Sequence, residues 1–221
     1  MKLEQLVNAY PRLYHMATEG SWESIRKYGL LSTSAILDLF AMPSGTRDLL
    51  ESQRRPRIVP LKDPRIGSFE IRDNSPIDDA GLRRALQDGL TPRDWYQTIN
   101  GRVFFWVSEH RLEGMLGARA YRNKRHCVLT IDTSLLLAVH ERDTWLSPMN
   151  TGATKPFPFP RGRNTFQRIR DFDFTARRRV APLRNAVVEL TVDYSVKNIA
   201  EYVIRVEGRQ VGTRSTLEWE Q

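Results

Sequence analysis

The sequence predicts an α+β fold built around a mixed or antiparallel β-sheet. Amphipathic helical patterns concentrate in the first half of the chain, whereas apolar strand patterns dominate the last third. A chain of 221 residues fits one large domain, and no shift in composition divides it. We therefore predict a single domain over residues 1–221, with helices at the periphery of the sheet.

Helix predictions depend on capping signals. Ser21 and Gly29 bracket one helical pattern, and Thr91 followed by Pro92 opens another, because these residue types favour helix ends. Apolar spacing predicts further helices over residues 3–10, 35–40, 48–54, 78–88, 111–121 and 135–138.

Runs of β-branched and aromatic residues predict the strands, at residues 13–16, 102–107, 127–131, 186–192 and 202–207. Two segments interrupt this pattern. Residues 55–76 are rich in proline and charge, which predicts a strand-and-loop segment over the surface. Residues 147–163 contain prolines at positions 148, 156, 158 and 160, which predict an irregular loop.

Composition excludes several classes of protein. With 40% hydrophobic and 10% aromatic residues, the chain is too apolar for a disordered protein. Its apolar runs are too short to span a bilayer, and its first ten residues lack a signal-peptide core. Cys127 is the single cysteine, and the histidines at positions 15, 110, 126 and 140 lack ligand spacing. We expect a cytoplasmic protein with no membrane partner and no metal.

The positive charge is concentrated in one segment. Residues 151–188 contain nine basic residues against Asp171 and Asp173, which gives +7 of the net +8. The basic residues are Lys155, Arg161, Arg163, Arg168, Arg170, Arg177, Arg178, Arg179 and Arg184. Arginine suits bidentate contacts to phosphate, so this segment indicates either a dinucleotide pyrophosphate or a nucleic-acid backbone. A solvated surface loop is the alternative.

Two polar residues stand out within apolar strands. His15 shares a predicted strand face with Leu13, and Glu189 lies inside the run of residues 187–192. A carboxylate in such a strand is costly unless it has a partner or faces a cleft. Structural alternatives are a hydrogen-bonded core histidine and an ion pair between Glu189 and a nearby arginine. Glycine-rich phosphate loops are absent from the sequence, so the candidate site residues are these two and, third, Arg119 with Arg122, for which an ordinary surface position is the alternative.

Three short blocks carry a family resemblance. They are residues 14–18 with Ser24-Ile25 and residues 29–32, then residues 103–106 with Leu112, and finally residues 188–192 with Val196 and Ile199. In this order the blocks resemble DarT-like ADP-ribosyltransferases and the wider poly(ADP-ribose) polymerase-like superfamily. The resemblance implies a split mixed or antiparallel sheet and an enzyme that releases nicotinamide from NAD and transfers ADP-ribose to an acceptor.

The resemblance also implies roles for individual residues. His15 would hydrogen-bond one of the two riboses of NAD, and Phe105 would stack on nicotinamide. Glu189 would bind the 2″-hydroxyl of the nicotinamide ribose and stabilise the oxocarbenium-like transition state. Further contacts would come from the hydroxyls of Ser32 and Thr33 and from an arginine at the pyrophosphate, drawn from Arg54, Arg55, Arg57 or Arg119.

The acceptor is expected to be DNA or RNA, because the basic segment that precedes Glu189 suits a polyanion. Arg161, Arg163, Arg177, Arg178 and Arg179 are the candidate acceptor contacts. The paired acid typical of arginine-modifying transferases is absent, since Val187 stands two positions before Glu189. Open alternatives are an RNA 2′-phosphotransferase-like enzyme and a non-catalytic module that binds nucleic acid or ADP-ribose. A toxin role, with an antitoxin or hydrolase partner, also stays open.

Overall fold

The computed structural model describes residues 1–155 and 157–221, without the side chains of Leu183 and Arg184. Pro156, one of the prolines of the predicted loop, therefore lies outside the described residues. The helices are α1 Leu3–Ala9, α2 Trp22–Tyr28, α3 Thr33–Leu39, α4 Ser44–Ser52, α5 Asp79–Ala85, α6 Pro92–Asn100, α7 Glu109–Leu116, α8 Thr133–His140, α9 Phe174–Val180 and α10 Leu183–Ala186. The strands are β1 Arg12–Thr18, β2 Leu30–Leu31, β3 Val59–Asp63, β4 Gly67–Ile71, β5 Arg102–Trp106, β6 His126–Asp132, β7 Thr144–Ser147, β8 Gln167–Arg168, β9 Glu189–Asp193, β10 Ser195–Val196, β11 Val203–Arg209 and β12 Thr216–Glu220.

An antiparallel sheet organises the molecule, which confirms the predicted α+β class. Eight strands of the described chain form it in the order β12-β11-β6-β1-β5-β9-β7-β8. β1, from the start of the chain, lies between β6 and β5, and every neighbouring pair is antiparallel. Two small antiparallel pairs, β2 with β10 and β3 with β4, lie outside this sheet.

Both faces of the sheet carry buried apolar side chains, which alternate between the two faces along each strand. On one face Leu13, Phe105 and Leu190 belong to the main core with residues of α1, α2 and α8. On the other face Met16 and Val128 pack against Leu112 and Leu116 of α7, and Phe104 packs against the aromatic cluster of α6. Along β1, His15 shares the first face with Leu13. Along β9, Glu189 is the neighbour of Leu190 and therefore belongs to the second face.

The predicted elements and the observed ones differ mainly where strands are short or charged. The predicted strand over residues 186–192 is wrong at its start, because α10 extends to Ala186 and β9 begins at Glu189. Five strands were not predicted: β2, β7, β8, β10 and β12. β7 has four residues and is followed by Pro148, so it gives only a short strand pattern. β12 alternates polar with apolar residues, which is typical of a half-buried strand, but the sequence analysis did not use this pattern.

Gly29 allows α2 to approach the β2–β10 pair closely. Its φ is +84°, and a Cβ atom there would lie 2.4 Å from Lys197 Cα and 2.6 Å from the Val196 carbonyl oxygen. Gly29→Ala is therefore expected to lower the free energy of unfolding by more than about 1 kcal/mol. Chemical denaturation monitored by circular dichroism measures this. Gly45→Ala in α4 is the control: its Cβ would meet open space, so a loss of stability equal to that of Gly29→Ala would contradict the explanation.

Candidate functional site

The main sheet opens beside His15. β1 pairs with β6 along its full length, from Arg12↔Asp132 to Thr18↔His126. Its pairing with β5 is limited, among the described residues, to Tyr14↔Trp106. Past this point the imidazole Nδ1 of His15 lies 2.9 Å from the Phe104 carbonyl oxygen and takes the place of a backbone contact. The strands therefore separate at His15, and a gap forms between them.

A cavity of about 540 Å³ occupies this gap. Its walls come from β1, β5, the β3–β4 hairpin and the segment that joins α2 to α3. This volume lies within the range of small-molecule sites. The cavity is lined by six of the predicted site residues: His15, Ser32, Thr33, Arg55, Phe105 and Glu189.

His15 presents a neutral imidazole to the cavity. Burial is the main cause that lowers the pKa of His15 to about 4; the positive charge of Arg72 adds to the shift, and the hydrogen bond with the Phe104 carbonyl opposes it. At neutral pH the ring therefore has one N–H, and the carbonyl of Phe104 fixes that N–H at Nδ1, which donates to it. Nε2 is left as an acceptor, which suits a hydrogen bond from a ligand hydroxyl.

Glu189 is a buried carboxyl at the start of β9. It is 3% exposed and pairs in register with Trp106 of β5 and Ser147 of β7. Thr151 donates to it twice: the backbone N–H lies 3.2 Å from both carboxyl oxygens, and Oγ1 lies 2.7 Å from Oε2. Burial raises the pKa of Glu189 to about 7, although the contacts with Thr151 and the charge of Arg161 oppose the shift. Such a carboxyl can exchange a proton near neutral pH.

The predicted hydroxyls at the cavity wall have structural partners. Ser32 caps α3, where its Oγ accepts from the Ala35 N–H at 3.1 Å. Thr33 Oγ1 accepts from Arg55 Nη2 at 3.4 Å. Arg55 itself is 6% exposed and donates to Asn100 Oδ1 at 2.8 Å as well as to the Leu50 carbonyl. Its guanidinium thus joins α4 to α6, and burial lowers its pKa to about 10.

Phe105 does not offer the open ring face that the sequence interpretation requires. The side chain is 1% exposed within the main core, and its ring meets the His15 ring edge-on at 5.9 Å. Alternation along β5 places Phe105 on the core face, whereas Phe104 and Trp106 are half-buried on the other face. Phe105 therefore packs against the His15 ring from the core side and has no open face on which a ligand ring could stack.

Of the four arginines from which the pyrophosphate contact was expected to come, Arg55 lines the cavity. Arg54, Arg57 and Arg119 do not line the cavity, and Arg54 donates to the carbonyls of Ile77 and Ser75. Arg72 is a cavity arginine that the sequence analysis missed. It lines the cavity, lies over the Tyr121 ring at 4.9 Å and donates through Nη1 to the Met16 carbonyl at 2.8 Å. Arg72 directly follows β4, and no pattern in the sequence predicts that this position faces a cavity.

Asn74 is a second residue that sequence reasoning missed. It is 9% exposed and lines the cavity, and its Oδ1 accepts from the Arg55 N–H at 2.6 Å. Its Nδ2 is buried and has no hydrogen-bond partner within the part of the chain that the structure describes. A buried amide donor in a cavity wall is a group that a bound ligand can satisfy.

The basic segment divides into buried and exposed arginines. Arg161, one of the predicted acceptor contacts, is 1% exposed and donates to backbone carbonyls, so its guanidinium does not face solvent. Arg177 donates to the Pro148 carbonyl at 3.3 Å, and its Nε is buried. Arg163, Arg178 and Arg179 are exposed. The side chain of Arg184 lies outside the described residues.

Within residues 1–155 and 157–221, no cluster of three or more histidine, cysteine or acidic side chains could hold a metal ion. Over the same ranges, no helix has both the length and the apolar character needed to cross a bilayer.

The comparisons with known proteins identify a family without an assigned activity. No curated protein matches the sequence. A family model described as a family of unknown function, DUF7002, matches residues 11–203, the stretch that contains both His15 and Glu189. Because this match covers well over half of the chain, the protein belongs to the DUF7002 family.

Proposed function

We propose that this protein is an NAD-dependent ADP-ribosyltransferase that releases nicotinamide and transfers ADP-ribose to a nucleic acid. The observation that carries the proposal is the shared cavity of His15 and Glu189. These residues are 174 positions apart in the chain, and both line the cavity at the opening of the sheet. The parting of β1 from β5 also agrees with the split sheet that the sequence resemblance implies.

The residue chemistry supports a reaction at a ribose. Loss of nicotinamide breaks the C1″–N bond, and the electron pair leaves with the neutral ring. Positive charge then develops on the ribose, where a carboxylate such as Glu189 lowers the barrier. The acceptor forms the new bond to C1″, and its proton passes to the Glu189 carboxylate, whose pKa of about 7 suits a general base.

The polar groups of the cavity support a dinucleotide as the substrate. His15 Nε2 is available to accept from a ribose hydroxyl, and the guanidinium of Arg72 supplies positive charge for the pyrophosphate. The buried Asn74 Nδ2 supplies a donor that the protein leaves without a partner in its described part. These groups fit a ligand with hydroxyls, phosphates and a polar base.

The surface beside Glu189 supports a nucleic-acid acceptor. The loop that places Thr151 on Glu189 continues to Phe157 and Phe159, which are 73% and 63% exposed. Exposed aromatic rings can stack on bases, and nearby arginines can contact phosphates. Arg163 follows this loop, and Arg178 and Arg179 lie on α9, which Arg177 joins to Pro148 at the start of the loop.

Incubation with NAD labelled in the adenosine moiety tests the proposal. Separate reactions contain DNA, RNA or protein, and chromatography follows nicotinamide release and the position of the label. Release of nicotinamide with label on DNA or RNA is expected. Intact NAD in every reaction contradicts the enzyme, whereas label on protein alone contradicts the acceptor. Release that requires 2′-phosphorylated RNA favours the phosphotransferase reaction.

Charge reversal on α9 is expected to weaken nucleic-acid binding. Arg178→Glu and Arg179→Glu each remove a phosphate contact, so the slope of log K against log[salt] should fall by about 1. Fluorescence anisotropy with labelled single-stranded DNA and RNA measures this slope. Arg214→Glu, an equally exposed change in the turn between β11 and β12, is the control. Equal losses in all three variants would show a general charge effect and contradict the assigned surface.

A further inference from the structure

Arg161 is a fully buried cation. It is 1% exposed, its guanidinium lies 5.4 Å from the centre of the Trp95 ring, and no carboxylate of the described residues lies within ion-pair distance of it. Burial of an unpaired charge is costly unless its N–H groups are satisfied. The side chain therefore serves a structural purpose that offsets this cost.

The N–H groups of Arg161 hold the loop that approaches Glu189. Nη1 donates to the Thr151 carbonyl at 2.9 Å, Nη2 donates to the Ala153 carbonyl at 2.8 Å, and Nε donates to the Phe159 carbonyl at 3.2 Å. The backbone of Arg161 is fixed in turn, since its N–H donates to the Ala85 carbonyl at 2.9 Å. Arg161 thus anchors Thr151, Ala153 and Phe159 to the end of α5.

Thr151 connects this anchor to the carboxyl group. Its carbonyl accepts from Arg161, while its N–H and Oγ1 donate to Glu189. The side chain is fully buried. A single residue therefore links the cation to the carboxylate through hydrogen bonds on both sides.

We propose that Thr151 and Arg161 are positioning residues, which fix the Glu189 carboxylate in one orientation toward the nicotinamide ribose. This role rests on the proposed transferase function. Thr151 acts on Glu189 directly, and Arg161 acts through Thr151 and through its charge. Preorganised groups of this kind raise the rate because they need no rearrangement in the transition state.

The groups around Glu189 determine how Thr151 and Arg161 affect the pKa of its carboxyl group. Arg161 and Arg111 are the cations that lower its pKa, and both donors of Thr151 lower it as well, against the larger effect of burial. Loss of the Thr151 hydroxyl must therefore raise the pKa of Glu189. The remaining neighbours contribute no charge at neutral pH: Trp106 on β5, Ser147 on β7 and the neutral imidazole of His15 on β1.

Thr151→Val tests the proposal, because valine keeps the shape and the backbone N–H but removes the hydroxyl. We expect kcat to fall about tenfold and the acid limb of its pH profile to shift upward by about one unit, as for one hydrogen bond to a charged group. Thr151→Ser keeps the hydroxyl and should therefore have the kcat and the acid limb of the wild type. Thr154→Val is the matched control: Thr154 is buried in the same loop, but its hydroxyl contacts Asp78.

Titration of Glu189 by ¹³C NMR separates this proposal from the transferase function. The protein is labelled at the glutamate carboxyl carbons, and Glu189→Gln assigns the resonance. A Glu189 pKa in Thr151→Val equal to that of the wild type would overturn the positioning role. Wild-type protein that leaves NAD intact would overturn the transferase, while the same titration would still measure the influence of Thr151.

Arg161→Lys adds a test of the anchor. Lysine keeps the charge but cannot donate to three separate carbonyls in the same geometry. We expect kcat to fall while KM for NAD stays within a factor of about two. An unchanged kcat would contradict the role of Arg161. If this variant does not fold, the three threonine variants still decide the proposal.

Discussion

Glu189→Gln is expected to reduce nicotinamide release from NAD by about a hundredfold or more, with the affinity for NAD changed by less than a few-fold. The amide keeps the size of the carboxyl group but lacks the negative charge that stabilises the ribose cation, a contribution on the order of 3 kcal/mol. Nicotinamide measured by chromatography gives the rate, and isothermal titration calorimetry gives the affinity. Wild-type turnover by the glutamine variant would falsify the assignment.

The pH dependence provides an internal check on this result. Burial raises the pKa of Glu189 to about 7, so the group is protonated and neutral below that pH and ionised above it. Wild-type activity should therefore rise with pH through about 7, whereas the residual activity of Glu189→Gln should show no such limb. Glu201→Gln removes an exposed carboxylate elsewhere and should leave both the rate and the limb unchanged.

Arg72→Met is expected to raise KM for NAD about tenfold to a hundredfold, with a smaller effect on kcat. The guanidinium lines the cavity, and a charge-assisted hydrogen bond to a phosphate oxygen contributes about 1.5–3 kcal/mol. Because this contact is present in both the bound substrate and the transition state, its loss weakens binding more than chemistry. Steady-state kinetics over a range of NAD concentrations measure both constants.

Two further variants give this prediction its controls. Arg72→Lys keeps the charge and should give an intermediate KM, which separates a phosphate contact from the structural bond to the Met16 carbonyl. Arg119→Met removes an exposed arginine that lies outside the cavity and should behave as the wild type. The prediction fails when Arg72→Met and Arg119→Met have the same KM.

The sequence predicted His15 and Glu189 as a candidate pair because each is a polar group inside an apolar strand. Strand periodicity makes such residues visible, and their arrival in one cavity follows from the neighbours of β1 and β9 in the sheet. The sheet itself was predicted as a class. Its strand order was not, since periodicity describes each strand and does not describe its neighbours.

Residues in irregular segments could not be found in this way. Arg72 and Asn74 follow the β3–β4 hairpin, where neither period 2 nor period 3.6 marks a buried side. The burial of Arg161 could not be predicted, because a count of charges along the chain gives no information on burial. The contacts of its guanidinium with Trp95 and with the carbonyls of Thr151 and Ala153 show that it faces inward.

The central place of β1 has a consequence for how the chain acquires its site during synthesis. β1 ends at Thr18, but its full partner β6 ends at Asp132 and the strand that begins with Glu189 comes later still. Such distant pairings close slowly, because a long intervening loop must be ordered first. A nascent polypeptide released before β9 contains the histidine without its acid, so any chemistry of the pair begins only after nearly the whole chain has left the ribosome.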